Sequence, residues 1–313
     1  MPKEKNFLNK DFTFTTPDHK EIFVRKWYQS QKKPQAILQI AHGMTEHIAR
    51  YAGFAENLVA AGIVVYGNDQ RGHGRTAGSE EELGHFADED GWNKVILDMY
   101  QLTKQIKSEY PKTPIFLLGH SMGSFLSRCY IQSKADAING IILSGTGSGR
   151  GILGRLGIRI VQSEMALKGK RARSKLLDKL SFGSFNNEFK PQRTAYDWLC
   201  SNNKEVDKYI KDPYCGAIST TSFYLDLLKG VSQANSFTLV KKVPKNLPIY
   251  LFSGSEDPVG ERTKGIMEVF WQFKKAGIKD INCKFYPGRH ELYHEFNKYE
   301  VYQDVVNWIK NRI

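Results

Sequence analysis

The sequence predicts an α/β protein: a mostly parallel central sheet with helices on both faces. Two observations carry that prediction. Short, wholly apolar runs alternate with longer segments of helical spacing over most of the 313 residues, the pattern of strands joined by helical crossovers. The runs lack the alternation of a half-solvated strand, so they read as buried on both faces, as parallel strands are. A third observation divides the chain. The alternation stops at Ser144 and resumes near Pro248, leaving a polar, helical-looking segment with no convincing strand from about Gly147 to Asn235. Residues 1–146 and 236–313 are therefore assigned to the core, and residues 147–235 to an insertion.

In chain order, Phe12 to Thr16 and Ile22 to Tyr28 read as two strands joined by the turn Pro17-Asp18-His19-Lys20. Ala36 to Ala41 is a buried strand ending in His42-Gly43-Met44. Glu46 to Ala61 has helical spacing, with Thr45 placed to cap it and Gly62 to stop it. Ile63 to Tyr66 is the next strand, followed by the loop Asn68 to Gly74. Trp92 to Tyr110 is a long helix that stops before Pro111. Ile115 to Leu118 and Gly140 to Leu143 are short strands. Beyond the insertion come the strand Ile249 to Phe252, a helix over Arg262 to Ala276, the strand Ile281 to Tyr286, and a closing helix over about Lys298 to Ile309.

Composition narrows the class. With 41% apolar and 25% charged residues the chain reads as a water-soluble globular protein. No apolar run approaches the ~20 residues of a membrane span. The polar start, Met1 to Asn6, predicts no leader peptide. Cys129, Cys200, Cys215 and Cys283 are widely spaced with no C-x-x-C, so they predict neither a zinc cage nor a disulfide framework, but reduced thiols in the cytoplasm. A net charge of +12 raises the question of anionic partners. No nucleic-acid motif accompanies it, so nucleic acid is not expected.

The chemistry centres on Gly119-His120-Ser121-Met122-Gly123. A strand precedes it and the helical Phe125 to Ile131 follows, which gives a G-x-S-x-G pattern its specificity. Only small residues fit beside a serine on so sharp a turn. A serine hydroxyl is a weak nucleophile that needs a base, and the base needs an orienting carboxylate. The chain supplies both in the order Ser, Asp, His: Asp257 follows the strand Ile249 to Phe252, and His290 follows the strand Ile281 to Tyr286. Both loops open on the carboxyl edge where Ser121 lies. Glu256 adjoins Asp257, but neighbours in an extended loop point apart, so one of them faces the histidine, and Asp257 is assigned. The developing oxyanion needs two backbone donors. The N–H of Met122 and that of Met44, on the loop after the Ala36 to Ala41 strand, are assigned to it.

Two other patterns compete. His290-Glu291-Leu292-Tyr293-His294 matches H-E-x-x-H, but Pro287-Gly288 places His290 in a loop or first turn, whereas zinc needs both histidines on one helix face. No metal is expected. Gly149 to Gly154 matches G-x-G-x-x-G without the acidic partner a dinucleotide requires, and reads as a hinge.

Taken together, the sequence resembles the monoacylglycerol lipase and lysophospholipase branch of the α/β-hydrolases, among the serine aminopeptidase S33-type hydrolases. The matching residues are His42-Gly43-Met44-Thr45-Glu46-His47 with Arg50-Tyr51, Asp69 to Gly74, Gly119 to Gly123, Ser253 to Val259, and Gly288 to Glu291. The resemblance implies an α/β-hydrolase fold with a helical cap after the sixth strand, the same three catalytic residues and no cofactor. It implies esters of one acyl chain on a small polar alcohol, monoacylglycerols or lysophospholipids. Ser124 stands where a third glycine is common, and Met44 where a smaller residue is often found.

The expectation is thus a serine hydrolase that cleaves carboxylic esters through an acyl-enzyme. An aminopeptidase of the same fold is the alternative, with a non-catalytic binding protein behind it. An aminopeptidase calls for acidic side chains near the site, yet Lys and Arg outnumber Asp and Glu about two to one between Gly147 and Asn235. In that segment Arg155 and Arg159 lie one helical turn apart, Ile152, Leu156 and Ile160 share a neighbouring face, and Lys168, Lys170, Arg171, Arg173 and Lys175 follow as a basic cluster. These features predict a mobile cover that rests on an anionic membrane surface.

Overall fold

The computed structural model describes residues 7–30, 32–149 and 154–313. The strands among the described residues are β1 (Phe7–Thr15), β2 (Glu21–Gln29), β3 (Ala36–Ala41), β4 (Ile63–Asn68), β5 (Ile115–His120), β6 (Gly140–Ser144), β7 (Ile249–Gly254) and β8 (Ile281–Tyr286). They form one sheet in the order β1-β2-β4-β3-β5-β6-β7-β8, parallel from β4 to β8 and antiparallel at β1 and β2.

The helices of the first half are α1 (Ala52–Ala60), α2 (Gly74–Ala77), α3 (Gly91–Glu109) and α4 (Met122–Lys134). Between β6 and β7 the chain forms α5 (Gly154–Lys168), α6 (Lys175–Phe182), α7 (Asn203–Lys211), α8 (Thr221–Ala234) and α9 (Phe237–Val240). The last two helices are α10 (Lys264–Lys275) and α11 (Lys298–Lys310). None of the described helices is long and apolar enough to cross a membrane.

Side chains alternate across a strand, and the central strands are apolar on both sides, so the sheet carries two cores. Ile37, Ile115, Leu117, Ile141, Leu143, Ile249 and Leu251 point to the side packed by α3, α4, α8 and α10. Leu38, Ile40, Phe116, Leu118, Ile142, Tyr250 and Phe252 point to the side packed by α1 and α11. Helix α8 lies within the insert in sequence, yet Phe223, Leu227, Val231 and Ala234 join the first of these cores. A Cβ on Gly230 would meet the Trp92 ring at 2.0 Å, so only glycine allows that approach. The segment between β6 and β7 also forms two smaller clusters, one around Phe185, Trp198 and Tyr209, the other around Val161, Leu177 and the α8 residue Tyr224.

The structure departs from the sequence expectations at four places. Strand β1 begins at Phe7 rather than Phe12, because it is an edge strand whose outer residues are wet and leave no apolar signal. The helix expected over Glu46 to Ala61 starts only at Ala52, after a 3-10 turn over Ile48–Tyr51. Thr45 does not cap it: with φ at 54° it takes a left-handed turn and pairs with the Tyr209 hydroxyl at 2.8 Å. Likewise α10 starts at Lys264, because Glu261, Arg262 and Thr263 are all left-handed. Finally, the loop after β4 contains the short helix α2, where Asp69 accepts the Arg75 N–H at 2.8 Å. Residues 150–153, which carry most of the G-x-G-x-x-G pattern and include Ile152, lie outside the described residues.

Candidate active site

Ser121 occupies the turn between β5 and α4 with φ 51° and ψ −120°, a conformation non-glycine residues rarely adopt. Its N–H donates to the Ser144 carbonyl at 2.9 Å, and its own carbonyl accepts the Ser124 hydroxyl at 2.5 Å. Both glycines of the motif are required by packing. A Cβ on Gly119 would lie 2.4 Å from the Gly123 carbonyl oxygen, and one on Gly123 would lie 2.0 Å from that of Ala41. Ser124, in place of a third glycine, is buried and spends its hydroxyl on the turn itself.

Asp257 and His290 come from the loops after β7 and β8 and meet behind the sheet edge. His290 Nδ1 is 2.9 Å from each Asp257 oxygen. A carboxylate only accepts, so Nδ1 carries the proton and Nε2 keeps its lone pair. The Ser253 hydroxyl and the Val259 N–H also donate to Asp257, each at 2.9 Å. Both partners are buried. Glu256 is exposed, and of the two neighbouring acids it is Asp257 that meets the histidine.

The two ionisation shifts follow from that geometry. Burial by itself would raise the Asp257 pKa, but the charge and hydrogen bond of His290, with the donors from Ser253 and Val259, hold it below the usual carboxylate range. Burial would lower the His290 pKa, and Asp257 outweighs it, leaving His290 above the ordinary histidine value. The neighbouring histidines behave oppositely. His42 is pushed down to about 4 by burial, and His120 well below its usual range for the same reason. His42 takes the Gln70 N–H on Nε2 at 2.9 Å, so it serves as a neutral structural ring.

A cavity of about 260 Å³ opens over Ser121 and His290. Gly43, Met44 and His120 line the core side, and Phe182, Tyr196 and Trp198 the insert side. Met44 thus lies on the wall beside Ser121, while Met122 is the buried first residue of α4, where helix N–H groups have no intrahelical acceptor. A Cβ on Gly43 would lie 3.3 Å from the Ser121 Cβ, so the loop after β3 comes close to the serine.

The polar scaffold behind this wall was not foreseen from the sequence. Glu46 accepts the Gly43 N–H at 2.6 Å and the Tyr51 hydroxyl at 2.8 Å. Arg50 bridges Glu46 at 2.8 Å and grips both Glu291 oxygens at 2.6 and 2.7 Å. The network therefore ties the loop carrying Met44 to the residue after His290. Glu46, Arg50, Tyr51 and Glu291 all lie in the stretches that carry the family resemblance, but the one pairing that spacing suggests is the four-residue step from Glu46 to Arg50, which on a helix would mean a surface pair. Trp198 was missed as well. Its ring centroid lies 5.2 Å from that of His290, and its carbonyl receives the His290 N–H at 3.4 Å. His294 lies 3.8 Å from Glu205, and no helix runs through His290 to His294, so the H-E-x-x-H pattern has no helix face to present.

The basic cluster of the insert also has a definite place. Arg171 pairs with Glu82 and Asp88 at 2.6 and 2.9 Å, and Lys170 with Glu89 at 3.4 Å. Arg173 donates to the Glu81 carbonyl at 2.8 Å. These side chains face an acidic loop of the core.

Comparison with known proteins places the chain. A model of the family described as serine aminopeptidase, S33, matches residues 32–297. Monoglyceride lipase of Rattus norvegicus is 27% identical over 305 residues, spanning 95% of this chain and 89% of that protein. The crystal structure of a highly thermostable carboxyl esterase from Bacillus coagulans superposes with a TM-score of 0.89 at 26% identity, over 97% of this chain and 98% of that one. A soluble variant of monoglyceride lipase from Saccharomyces cerevisiae gives a TM-score of 0.76 at 17% identity, over 97% and 95% of the two chains, a likeness of fold.

Proposed function

The chain belongs to the serine aminopeptidase S33 family, and from that premise we propose that it is a carboxylic ester hydrolase acting on monoacylglycerols or similar single-chain esters. The observation that carries the reading is the buried Asp257–His290 pair at 2.9 Å, opening on the same cavity as Ser121. Ser121 Oγ attacks the ester carbonyl, and its proton passes to His290 Nε2. The N–H groups of Met122 and Met44 take up the charge on the carbonyl oxygen. His290 then protonates the departing alcohol, leaving an acyl group on Ser121. A water, deprotonated by the same nitrogen, releases the acid. Asp257 holds the imidazole in its tautomer throughout.

The mostly apolar insert wall, with Phe182 and Trp198, suits an acyl chain. Residues 147–235 act as its cover. The relatives are lipases and esterases, which weighs against the aminopeptidase alternative. Four free cysteines fit a reducing compartment, and we assign the cytoplasm. The exposed Leu156, Leu167 and Leu176 of α5 and α6 give the cover an apolar surface that we propose rests on lipid, with the exposed Arg159 and Lys175 beside it favouring anionic head groups, since Lys170, Arg171 and Arg173 already face the core's acidic loop.

A fluorophosphonate probe should label Ser121 and no other serine. A series of p-nitrophenyl esters and monoacylglycerols should be hydrolysed while an aminoacyl anilide is not. Turnover of the anilide alone would reverse the assignment. Co-sedimentation with anionic vesicles, reduced in Leu167→Gln/Leu176→Gln, checks the lipid contact.

A further inference from the structure

Away from the serine, the core loop after β3 meets the end of α7. A ring nitrogen of His47, a carboxylate oxygen of Asp212 and the Cys215 Sγ converge there, all within 4.8 Å of one another. The first two are 2.9 Å apart. This is the one group of three metal-ligating side chains so placed among the described residues. We propose that His47, Asp212 and Cys215 form a binding site for a borderline divalent cation, zinc above all, that fastens the insert to the core.

The backbone holds the arms of the site before any ion arrives. Asp212 ends α7 in an extended conformation, and its Oδ1 accepts the Tyr214 N–H at 2.9 Å, leaving Oδ2 turned to the histidine. The Cys215 N–H returns to the Asp212 carbonyl at 3.0 Å, bringing the thiol to the same side. The Gly216 N–H donates to the Thr45 carbonyl at 3.0 Å, so the loop bearing Asp212 and Cys215 is already tied two residues from His47. One nitrogen, one oxygen and one sulfur make a donor set that selects zinc over magnesium or calcium, which take oxygen. Three protein ligands leave the fourth tetrahedral position to water. Arg50 is nearby, but Glu46 and Glu291 neutralise it, so it does not oppose a cation. On binding, a metal–sulfur bond replaces the thiol S–H bond and the proton passes to solvent.

The site is separate from His290, and its test does not depend on ester hydrolysis. The full chain, freed of metal with a chelator and kept reduced, is titrated with Co²⁺ and then with Zn²⁺. The expected result is one cobalt per chain with a thiolate-to-cobalt charge-transfer absorption that zinc displaces. Cys215→Ser should abolish that absorption, and Asp212→Asn and His47→Gln should each weaken binding at least tenfold. Cys283→Ser and His290→Gln should bind as the wild type does. No charge-transfer absorption in the wild type, or the same absorption in Cys215→Ser, overturns the proposal. So does its loss in His290→Gln, which would move the metal to the H-E-x-x-H segment.

Discussion

The floor and the roof of the cavity are held by different forces. The floor is Ser121, Asp257 and His290 on loops at the carboxyl edge of a sheet with two apolar cores, and its Asp257–His290 pair is buried and hydrogen-bonded. The roof comes from the segment between β6 and β7, and two of its seams with the core are unlike. At one, Arg128 of α4 is fully buried, and among the described residues none of its hydrogen-bond partners is a carboxylate. It donates to the carbonyls of Gly147 and Ala234 at 2.9 and 3.0 Å and to the Asn235 side chain at 2.7 Å. Gly147 lies just after β6 and Asn235 just after α8, so one guanidinium on α4 clamps both crossings. At the other seam Arg171 makes half-exposed pairs with Glu82 and Asp88. The contrast shows that charge alone does not rank these arginines. The buried one leaves several acceptors orphaned if removed, while the exposed one exchanges its partners for water.

The largest expected effect tests the floor. Ser121→Ala should lower kcat for a short p-nitrophenyl ester by roughly 10⁴ to 10⁶, with Ser121→Ala/His290→Ala little worse, because the residues act as a unit. Asp257→Asn should cost about 10⁴ while the fold is kept. Activity surviving in Ser121→Ala would place the chemistry elsewhere.

The buried seam comes next. Arg128→Met leaves the Gly147 and Ala234 carbonyls without their donor, at about 1–3 kcal/mol for each buried group. Thermal unfolding should move down by several degrees, and limited proteolysis should cut first near residue 147 or 235. A variant as stable and as resistant as the wild type would mean that the clamp is incidental.

A pH titration sharpens the contrast between His290 and its neighbours. His290 accepts the serine proton only when neutral, so activity falls as pH drops through its pKa. Asp257 holds that pKa above 6.5 against the effect of burial. The acid limb of kcat/KM should therefore lie above 6.5. In Ser121→Ala the imidazole resonance of His290 should titrate there too, and the further change Asp257→Asn should bring it below 6.5, since burial then acts unopposed. His120 should stay neutral across the range.

The smallest effect belongs to the exposed seam. Arg171→Gln should change stability by no more than about 1 kcal/mol per pair lost, and high salt should mask even that. Hydrolysis of a short soluble ester should be unchanged. A loss in thermal unfolding as large as that of Arg128→Met would erase the distinction between the seams.

Much of this was legible in one dimension. Apolar runs such as Ile115 to Leu118 and Ile249 to Phe252 announce double-sided burial, since nothing else explains four consecutive apolar residues between turns. Gly119 and Gly123 flag a turn too tight for a Cβ. Asp257 and His290 could be placed because each follows a readable strand, and a parallel sheet brings the ends of its strands to one edge. The local backbone thus dictated the floor.

Contacts between distant segments decided the rest. Glu46 and Arg50 look like a helical pair, but Glu291, 241 residues beyond Arg50, makes them a buried network. Arg128 is one of 45 basic residues until Gly147 and Asn235 close on it. Helix α8 belongs to the insert by position and to the core by packing, because Trp92 fills the space that Gly230 leaves. Periodicity records only how much of a residue is buried, whereas its partner is chosen by the whole fold, and for buried polar groups the partner sets the energy.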